Sequence, residues 1–218
     1  VNEKTKVMLI VTPSNPTGWT ATKEELRAIL DFARERGIWV LSDEVYGRIV
    51  FDGVRAPSFL DVAQDDDLLL VVNSFSKSWA MTGWRLGYCG GPKEIIAGMN
   101  KIQSQSTTST SSISMAASVE ALSGDQEFIN LHNNQFKKRR DMVVENLNQI
   151  DGINCSIPPG AFYVYPSCEG IIGKKTSAGN SRCNRKGSAC FVTNGESAVD
   201  VTCFSSNRCN YERSNREY

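Results

Sequence analysis

The first half of the chain alternates short apolar runs with segments of helical period, a pattern that a parallel sheet covered by helices satisfies and few other architectures do. Val7-Met8-Leu9-Ile10-Val11 reads as a strand and runs into the turn sequence Thr12-Pro13-Ser14-Asn15-Pro16-Thr17-Gly18. Thr22 then caps a helix, with Glu25 three residues on as in a capping box. Leu26, Ile29, Leu30 and Ala33 recur at helical spacing until Gly37 stops it. Ile38 to Leu41, Leu68 to Val72 and Arg85 to Cys89 supply further strands, the last broken by Gly90-Gly91, and a helix is expected from Lys93 to Ile102. Helical periodicity resumes from Ser111 to Leu122 and again from Asp125 through Leu147, and Gly152 closes that region. Ile153 to Ile157 and Ala161 to Tyr165 are expected as two strands around Pro158-Pro159-Gly160. The run from Ser104 to Ser114 is almost all Ser and Thr, which suits either a flexible linker or an ordered interface or site loop.

Charge and composition narrow the function. Lys plus Arg equals Asp plus Glu, so no net field draws the chain to nucleic acid or to an acidic membrane surface. No apolar run is long enough to span a bilayer, and Val1 to Lys6 lacks the apolar core of a signal peptide. Of the seven cysteines no two form a Cys-x-x-Cys pair, and the single histidine, His132, is far from Cys183, Cys190, Cys203 and Cys209. A reduced, cytoplasmic setting is expected, with no metal site and with small molecules as partners.

After Lys175 the character changes. Ser, Asn, Arg and Cys make up roughly half of Thr176 to Tyr218, and no strand or helix period is expected to survive there beyond a few residues. Disordered segments seldom concentrate cysteine, so a reading-frame shift near Lys175 or Thr176 is expected in place of a natural disordered tail.

Three clusters point to one chemistry. Lys77 in Ser74-Phe75-Ser76-Lys77 is suited to form a Schiff base with an aldehyde cofactor and then to move a proton as general base. Ser74, Ser76 and, eight residues after the lysine, Arg85 suit a phosphate dianion, for which arginine gives forked charge-assisted bonds. Asp43, directly after an apolar strand in Ser42-Asp43-Glu44-Val45-Tyr46, is placed to hold a pyridine nitrogen protonated, with Glu44 as its neighbouring competitor. Tyr46 and Asn15 can hydrogen-bond a phenolic ring oxygen. Each has a plainer reading: a solvated lysine, a helix cap, a packed aromatic, a turn residue.

Asn15-Pro16-Thr17-Gly18, Ser42-Asp43-Glu44-Val45-Tyr46 and Ser74-Phe75-Ser76-Lys77 with Arg85 together resemble the class I/II pyridoxal-phosphate-dependent aminotransferases of fold type I, most of all their bacterial aspartate aminotransferase branch. The resemblance runs from about Val7 to Tyr165. It implies an α/β fold, with a mostly parallel large-domain sheet carrying helices on both faces and part of a smaller α+β domain. Residues 1–124 correspond to the later part of the large cofactor domain, 125–150 to the interdomain helix and 151–175 to the start of the small domain, with 176–218 expected as an aberrant, disordered tail. It implies pyridoxal 5'-phosphate as cofactor, Lys77 as its Schiff-base lysine and catalytic residue, and Asn15, Asp43, Tyr46, Ser74, Ser76 and Arg85 as its further ligands. An amino group would pass from an amino acid, aspartate above all, to a 2-oxo acid such as 2-oxoglutarate, in a homodimer. Members are longer, begin with an arm and the first part of the large domain, and carry a substrate-binding arginine near the C-terminus. Arg208 in Ser206-Asn207-Arg208-Cys209 lacks the apolar strand context for that role. An incomplete chain is therefore expected, with an inactive fragment that retains cofactor binding, or a β-lyase of the same fold, as the alternatives.

Overall fold

A computed structural model describes residues 1–172, 174, 189–195 and 198–204. Its organising element is a four-stranded sheet of order β1-β2-β3-β4, built from Val7–Val11, Trp39–Asp43, Leu69–Ser74 and Gly87–Gly90. The first three strands are parallel, with Val7 opposite Trp39 and Val40 opposite Leu69. β4 returns antiparallel, with Asn73 opposite Tyr88. The crossover from β1 to β2 is helix α1, Lys23–Arg36.

α1 starts and stops where its sequence says it should. The Thr22 side chain accepts from the Glu25 N–H while the Glu25 carboxylate accepts from the Thr22 N–H, and Gly37 ends the helix at φ 60°, a left-handed position that suits a residue without Cβ. Leu26, Leu30 and Ala33 then lie on one face and pack with Val40, Leu69, Val71 and Phe59 in the main core. Met8 and Ile10 join them from β1, whereas Val7 and Leu9, which alternate to the other face, are 53% and 62% exposed.

A buried carboxylate ties this core to the loop beyond β2. Ser42 and Glu44 are both buried, and Glu44 Oε1 accepts from the Ser42 hydroxyl and from the Phe59 N–H, each at 3.0 Å. Phe59 opens a short 3-10 helix, Phe59–Asp61, capped by Ser58. Arg55 grips Asp61 with two bonds of 2.9 and 2.7 Å, and the Ser58 N–H donates to the same carboxylate. Chiefly through the Arg55 hydrogen bond, the Asp61 carboxyl is held down at about 2.

Beyond the sheet, α2 is the single turn Phe75–Ser78, α3 runs Lys93–Ser106 and α4 runs Ser112–Ser123. Much of the Ser/Thr-rich run is thus helical: Ser104 to Ser106 end α3, and Ser111 precedes the first turn of α4. α5, Glu127–Asn148, ends four residues before Gly152, which takes φ 87°. His132 lies exposed on it, its ring edge-on to Phe128.

The chain divides into two compact units, one of Val1–Lys137 with Pro159–Ala161 and a second of Lys138–Pro158 with the described residues from Phe162 on. In the second, Val143, Val144, Cys155 and Val164 form a small core, and the Asn148 amide brackets Cys155 by bonding both its N–H and its carbonyl. The two strands expected at Ile153–Ile157 and Ala161–Tyr165 do not form. Asn154 and Ser167 make an isolated antiparallel bridge, and Val50 and Gly160 another. Pro158 and Pro159 cannot donate to a ladder, and Ala161 is left-handed at φ 56°, which breaks any extended run through it.

Within 176–218 the described residues form a two-stranded antiparallel sheet, β5 of Ala189–Gly195 on β6 of Ala198–Phe204, in register from Ala189 opposite Phe204 to Gly195 opposite Ala198. This departs from the expectation of no strand period there. Val192, Thr193, Val199, Val201 and Thr202 are β-branched, a composition that favours extended backbone. The expected frame shift and Arg208 lie outside the described residues.

Two outcomes follow from the Glu44 and Asp61 contacts. Glu44→Ala leaves the Ser42 hydroxyl and the Phe59 N–H buried without an acceptor and is expected to cost about 3 kcal/mol in urea denaturation, whereas Glu44→Gln, which keeps the acceptor oxygen, costs under ~1 kcal/mol. For Asp61 the folded value lies below the unfolded one, so its contribution to stability is complete above pH 3.8 and is lost as pH falls toward about 2. NMR titration should find the Asp61 carboxyl near 2, and Arg55→Ala should return it toward 3.8 and flatten that acid-side loss.

Candidate active site

Parallel pairing brings the carboxyl ends of β1, β2 and β3 side by side, with Val11 opposite Asp43 and Asp43 opposite Val72. The ladder continues one step past the strands: the Thr12 N–H donates to the Asp43 carbonyl at 3.0 Å, and the Glu44 N–H to the Val72 carbonyl at 2.9 Å. Ligands of open α/β sheets sit at this edge. The three sequence clusters leave the sheet here, each from its own strand, although they are far apart in the chain.

β1 delivers the Asn15 turn. Thr12 is fully buried, and its hydroxyl accepts from the Ala21 N–H at 2.9 Å. The Ser14 N–H bonds the Trp19 carbonyl, and the Gly18 N–H bonds the Ser14 carbonyl, so the loop is closed on itself with Gly18 at φ 72°. Gly160 packs against this loop so closely that a Cβ there would lie 2.7 Å from Thr20 Oγ1 and 3.0 Å from Pro13. Asn15 is exposed, and its Nδ2 reaches the Tyr46 hydroxyl at 3.5 Å, the long limit of a hydrogen bond.

β2 ends at Asp43, whose Oδ1 accepts from the Val45 N–H at 3.1 Å. The plainer expectation of a helix cap is not met: a turn follows, not a helix. Asp43 stays half-buried while its neighbours Ser42 and Glu44 turn into the core, so the two adjacent carboxylates face opposite sides of the sheet. Glu44 is occupied by the Ser42 hydroxyl and the Phe59 N–H, and Asp43 is the one presented at the strand end. Tyr46 is 4% exposed.

β3 runs straight into the Ser74–Ser78 turn. The Ser74 hydroxyl accepts from the Ser76 N–H at 3.0 Å and donates to the Leu86 carbonyl at 3.3 Å. Phe75 is buried against Trp79, with ring centroids 5.0 Å apart, which turns Ser76 and Lys77 outward as half-buried groups. Lys77 Nζ lies 6.0 Å from the Tyr46 ring centroid, the outer reach of a cation–π contact, so the amine of one cluster stands over the aromatic ring of another. Gly87 on β4 lies close to the same turn, where a Cβ would meet the Asn73 carbonyl at 2.6 Å.

Arg85 is exposed and left-handed at φ 54°. Its Nη1 donates to the Thr82 carbonyl at 2.9 Å, and a guanidinium retains further donors in a fork that matches a phosphate. The Thr82 hydroxyl donates to the Ser76 carbonyl at 2.9 Å, and the Ser114 hydroxyl of α4 donates to the Trp84 carbonyl at 2.8 Å. Neither Thr82 nor Ser114 was singled out by the sequence reading. A hydroxyl bonded to a backbone carbonyl across a fold leaves no spacing signature.

The structure thus joins Asn15 to Tyr46, Tyr46 to Lys77, Ser74 to Ser76, and Ser76 to Arg85 through Thr82. Asp43 takes its place through the backbone ladder. The edge collects an amine, a carboxylate, a phenol, an amide, hydroxyls and a guanidinium, a set able to hold a phosphorylated aromatic ring and to accept and return a proton. Among the described residues no group of three or more His, Cys, Asp or Glu could hold a metal ion, and no helix is long and apolar enough to cross a membrane.

Most of the chain is similar to known proteins. The model of the family aminotransferase class I and II matches residues 1–184. An aspartate aminotransferase of Rhizobium meliloti (strain 1021) is 45% identical over 184 residues, which make up 82% of this chain and 44% of the relative. A probable aspartate/prephenate aminotransferase of Rhizobium leguminosarum bv. phaseoli is 44% identical, across 82% of this chain and 45% of that protein. Among solved structures, the aspartate aminotransferase of Rhizobium meliloti superimposes with a TM-score of 0.78 at 42% identity, covering 83% of this chain and 46% of that one. The chain therefore spans less than half the length of these relatives. Over that span both sequence and fold are shared, and the chain belongs to the class I and II aminotransferase family.

Proposed function

We propose that this chain carries the cofactor-holding half of a pyridoxal 5'-phosphate-dependent aminotransferase that moves an amino group from aspartate to a 2-oxo acid such as 2-oxoglutarate. The observation that carries the reading is the meeting of Lys77, Tyr46 and Asn15 at the carboxyl edge where Asp43 ends β2. The relatives' names favour aspartate, and the name of the second adds prephenate aminotransferase activity as a related possibility for the oxo-acid side.

The donor set fits the cofactor. Lys77 would bind its aldehyde carbon, Asp43 its ring nitrogen, Tyr46 and Asn15 its phenolic oxygen, and Ser74, Ser76 and Arg85 its phosphate. Pyridoxal 5'-phosphate, when bound, supplies an electron-withdrawing ring that accepts charge from the substrate's α-carbon. The chain's own residues do the rest. Asp43 would favour a protonated ring nitrogen by pairing its carboxylate with that N–H. Lys77 Nζ would hold the aldehyde carbon and, as a free amine, would serve as general base and then acid for the substrate's α-proton. Tyr46 and Asn15 would orient the ring through its phenolic oxygen. Ser74, Ser76 and Arg85 would hold its phosphate.

Two further features belong to the same reading. Ile102, Ile113, Val119 and Leu122 of α3 and α4 are 72%, 71%, 64% and 54% exposed, which supports pairing with a second copy in a homodimer. Cys89 and Cys155 carry free thiols, consistent with a reduced, cytoplasmic setting. A second reading, cofactor binding without turnover, is favoured by the exposure of Val7 and Leu9 on a parallel strand, because parallel sheets are ordinarily covered on both faces.

Absorbance of the purified chain with pyridoxal 5'-phosphate tests the proposal. A visible band that borohydride fixes onto the protein, and that Lys77→Ala abolishes, is the expected result. A band that survives Lys77→Ala, or none at all, overturns it. With the band present, transfer from aspartate to 2-oxoglutarate separates the enzyme from the binding-only reading.

A further inference from the structure

The geometry points to Thr82 as a positioning residue that presets Arg85 and the Ser76–Lys77 turn for an incoming phosphate group, an inference that rests on the cofactor reading above. Thr82 works in two directions. Its hydroxyl donates to the Ser76 carbonyl at 2.9 Å, and its own carbonyl accepts from Arg85 Nη1 at 2.9 Å. One residue therefore ties the peptide that precedes Lys77 to the guanidinium that follows it in the chain.

Arg85 needs such a tie. It is exposed, so its side chain has no core packing to select a rotamer, and an arginine that is mobile before binding gives up that freedom when it binds. Its backbone is left-handed at φ 54°, a conformation that an L-residue keeps only where its surroundings impose it. The surroundings here are specific. The Ser114 hydroxyl of α4, itself buried, holds the Trp84 carbonyl immediately before Arg85. The Leu86 carbonyl immediately after it accepts from the Ser74 hydroxyl and from the Phe75 N–H at 3.4 Å. Peptides on both sides of Arg85 are thus clamped, and Thr82 clamps the side chain.

The plainer role for Thr82 is a local turn residue. A threonine of that kind bonds its own backbone or that of a residue two or three positions away. The Thr82 hydroxyl instead reaches six residues back, across the Lys77 turn. Binding is favoured when the donors are held in place beforehand, so losing the tie weakens phosphate binding without unfolding the site.

The test uses the whole 218-residue chain and inorganic phosphate as the probe, followed by NMR shifts of the Ser76 and Lys77 amides. Thr82→Val keeps the shape and removes the hydroxyl, while Thr82→Ser keeps the hydroxyl. The expected result is phosphate affinity lower by roughly fivefold in Thr82→Val, restored in Thr82→Ser, at unchanged Tm. In the absence of phosphate, the order parameter of the Arg85 Nε–H should fall in Thr82→Val and recover in Thr82→Ser. Wild-type affinity in Thr82→Val, or an Arg85 order parameter that does not change, overturns the inference, and so does a wild-type chain that takes no phosphate. The Lys77-dependent absorbance with pyridoxal 5'-phosphate is read separately, so failure of the Thr82 inference and failure of the cofactor reading are told apart.

Discussion

Everything at the candidate site hangs from the parallel pairing of β1, β2 and β3. Parallel strands run the same way, so their carboxyl ends fall on one edge, and each loop that leaves that edge starts beside its neighbours. The bonds from the Thr12 N–H to Asp43 and from the Glu44 N–H to Val72 carry the ladder to the last residue before each loop. A slip of one residue in β2 would exchange Asp43 with Ser42 or Glu44 and present a different side chain at the edge. The buried Glu44 carboxylate opposes such a slip through the Phe59 N–H, a partner outside the strand that a shifted β2 would leave behind.

On that edge the polar groups are linked by backbone as much as by side chain. Ser74 bonds the Ser76 N–H and the Leu86 carbonyl, Thr82 bonds the Ser76 carbonyl, and Ser114 bonds the Trp84 carbonyl. Apolar packing supplies the footing: Phe75 and Trp79 are buried with Met81, Leu86 and Ile129, and the half-buried Ser76 and Lys77 stand on that cluster. A site assembled this way places groups by rigid peptides and short hydroxyl contacts, with little reliance on the freely rotating ends of long side chains. Arg85 is the long side chain that most needs outside support.

Local signals were legible wherever one residue type answers one local need. The Thr22–Glu25 box and Gly37 bound α1 because caps satisfy orphan backbone groups within a few residues. They failed where the decision was made at a distance. Ser104 to Ser114 has the composition of a linker, yet Ser106 closes one helix and Ser114 sits buried in the next, because the Trp84 carbonyl offers Ser114 a partner thirty residues back. Ile153–Ile157 and Ala161–Tyr165 have strand-like composition, but Asn154 bonds Ser167 and Ala161 bonds Ile49 instead of one another. At Ala189–Gly195 and Ala198–Phe204 the error ran the other way, where a biased composition hid β-branched residues.

By itself the sequence determined which residue types are available to the site, and the order in which strand, turn and helix present them. Asn15, Asp43, Tyr46, Ser74, Ser76, Lys77 and Arg85 stand out by motif and spacing as candidates, because the side chains suited to such chemistry are few. Tertiary structure decided which of them meet. It separated Asp43 from Glu44 across the sheet, set Lys77 over Tyr46, and recruited Thr82 and Ser114 to hold Arg85. Those choices depend on strand register and on carbonyls that come into reach only after the chain has folded, and a linear spacing contains no record of either.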